Sequence, residues 1–156
     1  MLHSCLVPID FDRSDKHYII TIENNSDMDL FIFSELDHQD WAPDDSVWLS
    51  GEFYDESVIK AHSVDKEMFH MHTEHNLGGQ SWDSQLDWEG HSYRIIAIDP
   101  EDARKGFGTQ DNVPVLLSYE ITLDAMDKLG WKVSFPLTRD SEVMRHWSAK
   151  EDPRFK

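Results

Sequence analysis

Residues 18–41 place two runs rich in β-branched and aromatic side chains on either side of a polar stretch, Asn24 to Asp29. In the first run, 17–23, Tyr18, Ile20 and Ile22 share one face; in the second, 30–36, Leu30, Ile32 and Leu36 do. A period of two does not fit the 3.6-residue turn of a helix, so both runs are read as strands. With turn-forming residues between them, they are read as a β-hairpin opening an all-β domain.

The same alternation returns downstream. Across 114–123, Val115, Leu117, Tyr119, Ile121 and Leu123 point one way; across 131–137, Trp131, Val133, Phe135 and Leu137 do. Residues 93–99 read as a strand stopped by Pro100, and 46–53, 58–62 and 85–89 as shorter ones. The run 66–74 suits strand or helix, and 100–113, with Gly106 and Gly108 inside, reads as loop. Residues 124–129 read as one helical turn between an Asp124 cap and a Gly130 stop. Residues 140–150 read as a short helix with Val143, Met144 and Trp147 as its apolar stripe. Together these predict an antiparallel β-sandwich with a short C-terminal helix. One domain spans 1–156, with its core at about 17–137 and a terminal helix and frayed tail at 138–156.

Charge limits the partners. Thirty-one acids face fourteen bases, a formal net of -17. Residues 1–93 hold 20 of the acids and 4 of the bases, so nearly all of the negative field belongs to that half. Such a field repels nucleic-acid phosphates and anionic bilayers, and attracts cationic proteins or metal ions. A solvated acidic surface that keeps the chain soluble is the plainer alternative. Direct nucleic-acid binding is not expected. Cys5 is the single cysteine, which rules out an internal disulfide. The start, Met-Leu-His-Ser-Cys, lacks the basic and apolar regions of a secretory signal. The apolar runs 95–98 and 115–117 are far too short for a transmembrane segment. The expectation is a cytoplasmic protein as synthesised, with release or membrane-surface association left open.

Several segments, in order, resemble the aegerolysin-like β-sandwich family. Ile20-Thr21-Ile22-Glu23-Asn24-Asn25-Ser26 is similar to that family's opening strand and turn. Leu36-Asp37-His38-Gln39-Asp40-Trp41 is similar to its Leu-x-His-Gly-x-Trp segment, with Gln39 in the glycine's place. Val58-Ile59-Lys60-Ala61-His62-Ser63 with Phe69, then Gly78-Gly79 through Trp88, then 93–100 with Gly106 and Gly108, follow in the family's order. About two thirds of the chain is covered. The resemblance implies a compact acidic sandwich that recognises membrane lipid headgroups, often as the targeting half of a two-component toxin.

Three constellations are candidate sites. His70-Met71-His72-Thr73-Glu74-His75 is similar to a metallo-β-lactamase metal motif; His70, His72, Glu74 and His75 could hold zinc and acidify a bound water. Glu74 stands where that motif has aspartate, and in a chain with nine histidines polar strand-edge residues are the plainer reading. Asp37, Asp40, Asp44 and Asp45 surround Trp41 with hard oxygen ligands in a loop that lacks EF-hand order. Trp41, Trp82 and Trp88 lie in or beside polar loops, where an indole with one wet edge suits a lipid headgroup or a protein partner. Trp131 and Trp147 are assigned to packing. No nucleophile elbow, triad wording or phosphate-binding fingerprint is present, and no cofactor is expected.

The functional expectation is a non-enzymatic binding module for lipid headgroups. One alternative is an acidic protein-binding inhibitor, of the immunity or anti-defence kind, that covers a cationic or nucleic-acid-binding surface. Another is a metal-dependent hydrolase built on residues 70–75.

Overall fold

The alternating runs do form strands, but their partners are not the neighbours in sequence. A computed structural model describes residues 16–38, 46–47, 49, 51–69, 71, 81–87, 91–108, 113–136 and 145–148. Among them lie ten strands: β1 (Thr21–Asn24), β2 (Leu30–His38), β3 (Ser46–Val47), β4 (Val58–Ile59), β5 (Ser63–Asp65), β6 (His91–Ile98), β7 (Val113–Pro114), β8 (Leu117–Ile121), β9 (Lys132–Phe135) and β10 (Arg145–Ser148). Three short α-helices, α1 (Trp82–Leu86), α2 (Pro100–Gly106) and α3 (Leu123–Leu129), and one 3-10 turn at Asp55–Ser57 separate some of them.

A five-stranded sheet in the order β10-β8-β6-β2-β4 is antiparallel throughout. A three-stranded sheet in the order β5-β1-β9 pairs β1 antiparallel to β5 and parallel to β9, and β3 and β7 form a separate two-stranded ribbon. Among the described residues strands therefore dominate over the few short helices, and most of them lie in two antiparallel-rich sheets. One core joins them: Ile20, Ile22, Val133 and Phe135 from the small sheet's segments meet Ile32, Ile95, Tyr119 and Ile121 from the large one. The opposite face of the large sheet carries a second core, in which Phe31, Ile96 and Ile98 pack with Ala103 of α2 and Val113 of β7. Strands β2 and β6 are thus apolar on both faces. Their sequences read Leu-Phe-Ile-Phe and Ile-Ile-Ala-Ile instead of alternating with polar residues. Register also aligns positions 35, 94, 120 and 145 in one row across four strands.

The opening hairpin is not formed. β1 and β2 lie in different sheets, and the polar turn between them carries the chain across the core. Alternation specifies which face of each strand is buried; it does not specify the partner. Both faces, Ile20/Ile22 and Leu30/Ile32, are buried in the same core from opposite sides.

The short C-terminal helix is also corrected. Residues 145–148 are strand β10, in register with β8 from Arg145↔Glu120 to Ser148↔Leu117. β8 offers backbone donors and acceptors along that edge, and pairing them outweighs the narrow helical stripe read from Val143, Met144 and Trp147. Residues 137–144 and 149–156 lie outside the described set.

Two segments read as loop or strand are helices with visible start signals. Asp99 caps α2, accepting from the Glu101 N–H at 2.9 Å; Pro100 takes the first turn, acids follow, and Arg104 and Lys105 close the last turn. Ser81 caps α1 in a reciprocal capping box with Ser84, where a strand over 85–89 was expected. The helical turn near Gly130 stands, with Thr122 instead of Asp124 as its cap and Gly130 left-handed at φ 64°.

Candidate functional site

Pairing of β2 with β4 and β6 brings three distant stretches of sequence to one end of the large sheet. Leu30 opposes Ile59, and Phe31 opposes both Val58 and Ile98. Val58 and residues just outside these pairs line a cleft of about 520 Å³: Met28 and Asp29 before β2, Asp55 and Lys60 beside β4, and Asp99, Pro100, Glu101 and Arg104 at α2.

The first wall hangs on Asn24. This side chain is 1% exposed, and its amide nitrogen donates to the carbonyls of Met28 at 2.8 Å and of Ile59 and Lys60 at 3.1 Å each. Its carbonyl oxygen accepts from the Ser26 N–H and hydroxyl. The 24–29 turn is thereby tied to the end of β4. Asp29 completes the tie, accepting from the Ala61 N–H at 3.0 Å and the Lys60 ammonium at 2.7 Å. The Lys60 hydrogen bond, with help from the Ala61 N–H, holds the Asp29 carboxyl below its ordinary range.

The second wall is α2. Gly106 lets it sit against β7, since an added Cβ would lie 1.9 Å from a Val113 methyl carbon. Arg104 points back from this helix. Its guanidinium lies 4.6 Å from the Phe53 ring centroid, and Nη2 is 3.4 Å from Asp55 Oδ1. Phe53 is itself stacked on Phe31 at 5.2 Å, with Phe107 edge-on to both. The second core thus holds the aromatic platform on which Arg104 rests.

Four carboxylates, Asp29, Asp55, Asp99 and Glu101, face two cations, Lys60 and Arg104, around this cleft. The surplus is negative. Both ion pairs are exposed, so each is worth at most about 1 kcal/mol and weakens with salt. The arrangement suits recognition of a cationic group.

Of the residues singled out by sequence, Trp82 is buried. It lies in the first turn of α1, 4% exposed, with Nε1 donating to the Phe69 carbonyl at 2.8 Å and its ring edge-on to Tyr93. Its indole has no wet edge; the helix that replaces the expected loop turns it into the main core. Trp131 is buried as assigned, its Nε1 donating to Asp127. Asp37 lies in β2 opposite Ser92, seven residues along the strand from Leu30 and so about 23 Å from the cleft. Trp41, Trp88, Asp40, Asp44, Asp45, His70, His72, Glu74 and His75 lie outside the described residues. Among the described residues no group of three or more His, Cys, Asp or Glu side chains is placed to hold a metal. Nor is any described helix long and apolar enough to cross a membrane.

Sequence reasoning missed the cleft. The Asp99-Pro100 start signal of α2 was available, but nothing local relates residues 29, 55–60 and 99–104. No protein-family model, curated protein or solved structure matches this chain.

Proposed function

We propose that this chain is a non-enzymatic, acidic binding module whose sheet-end cleft engages a cationic protein surface. The observation that carries the reading is the carboxylate surplus around the cleft, in a chain of net charge -17. Long-range attraction speeds encounter with a basic partner, and the cleft supplies the local complement. Such a module serves as an inhibitor when the surface it covers is a working one. The two sheets are read here as the stacked leaves of a β-sandwich, an interpretation supported by their shared core.

The test is a titration of the protein against a fluorescently labelled oligolysine peptide at rising salt. Binding at low salt that weakens steeply toward physiological salt supports the proposal. Absence of binding at low salt, or an affinity indifferent to salt, refutes it.

A second reading retains the aegerolysin-like relation and a lipid headgroup as ligand. Tyr54 favours it: this large side chain is 57% exposed and directly precedes Asp55 at the cleft. Flotation with liposomes of varied headgroup decides between the two, because a basic protein partner predicts no vesicle binding.

A further inference from the structure

The cleft already holds a guanidinium. Arg104 lies over the Phe53 face while its Nη2 reaches Asp55, with an aromatic platform below and a carboxylate beside. That is the chemistry by which a protein takes up an arginine side chain from a partner. Yet the occupant is loosely held. The Asp55 and Arg104 side chains are 87% and 56% exposed, and 3.4 Å is long for a charge-assisted hydrogen bond. Phe53, by contrast, is fixed through Phe31 and Phe107. A rigid seat with a weakly bound internal cation is easily vacated.

We propose that Arg104 is an internal placeholder, and that an arginine of the cationic partner displaces it to stack on Phe53 and pair with Asp55. This rests on the reading of the chain as a module for a cationic partner and names the side chain recognised. Lysine is the weaker ligand, because an ammonium has no planar face to lay on the ring and no forked donors for the carboxylate.

The experiment uses the whole chain and two small probes, Nα-acetyl-arginine amide and Nα-acetyl-lysine amide, titrated by two-dimensional amide NMR. In wild type, Arg104 competes with the arginine probe. In Arg104→Ala that competition is gone, and affinity for the arginine probe rises about fivefold, the combined worth of one exposed ion pair and one exposed cation–π contact. Affinity for the lysine probe rises less than about twofold, from the loss of one positive charge alone. Asp55→Asn, an exposed change that leaves the core untouched, abolishes the gain. Shifts centre on residues 53–55.

Equal gains for both probes, or none for arginine, overturn the proposal. If oligolysine still binds wild type in a salt-dependent way in that case, the placeholder falls while the general reading stands. If the arginine gain appears and oligolysine does not bind, the seat stands and the general reading falls.

Discussion

Replacing Asn24 with aspartate tests how the cleft is held together. The substitution keeps size and shape. It converts a nitrogen that donates to three carbonyls, of Met28, Ile59 and Lys60, into an acceptor oxygen facing them. Two N–H donors are lost, worth about 1 kcal/mol each, and a carboxylate is left buried against carbonyl oxygens, costing about 1–3 kcal/mol more. The sum is about 3–5 kcal/mol, a large part of the 5–15 kcal/mol that typically separates folded from unfolded. In a urea titration at neutral pH the midpoint falls by roughly 2 M, taking a slope near 2 kcal/mol per M. The contacts of the remaining oxygen with Ser26 survive, so the loss is assigned to the donor side. Acid supplies an internal check. Burial beside carbonyls disfavours the charged carboxylate, so the folded-state pKa of Asp at this position is raised. The deficit relative to wild type is full above that pKa and shrinks as pH falls through it, because a protonated carboxyl restores one donor. A midpoint shift equivalent to less than about 0.5 kcal/mol, or a deficit that grows in acid relative to wild type, refutes the reasoning.

Three further outcomes are expected. Trp82→Phe removes the indole donor to the Phe69 carbonyl and costs about 1–3 kcal/mol by urea titration, without changing oligolysine affinity, since the ring is buried away from solvent. Stability falls as the solution is acidified: Glu23 is held low by Ser134, then Asn25 and Lys132, Asp29 by Lys60 and the Ala61 N–H; Asp83, which burial pushes up, is brought lower by His17 donors. Depressed carboxyl pKa values contribute stability that is complete above the ordinary values of 4.5 and 3.8 and is lost as pH drops through the lower folded-state ones; a thermal midpoint flat from pH 5 to 2, within that window, contradicts this. Gly106→Ala forces α2 off Val113 and costs about 1–3 kcal/mol, whereas Gly130→Ala, which meets open space but must hold φ at +64°, costs about 1 kcal/mol; the reverse order by urea titration rejects the account of how α2 is seated.

Alternation at Ile20/Ile22, at Leu117/Tyr119/Ile121 and at Val133/Phe135 is a property of the chain alone, because side-chain direction in a strand has period two whatever the strand pairs with. It was enough to establish a strand-rich chain and much of its main core. The -17 charge and the lack of an apolar span are equally local sums, and they bound the partners without naming one. Pairing is not local. That β1 joins β5 and β9 instead of β2 depends on backbone bonds reaching across more than a hundred residues, from Thr21 to Lys132. Strand β10 forms because β8 has an edge to fill. The cleft follows from the same cause: Asp29, Lys60 and Arg104 meet because β2 lies between β4 and β6, and no spacing in the sequence encodes that order.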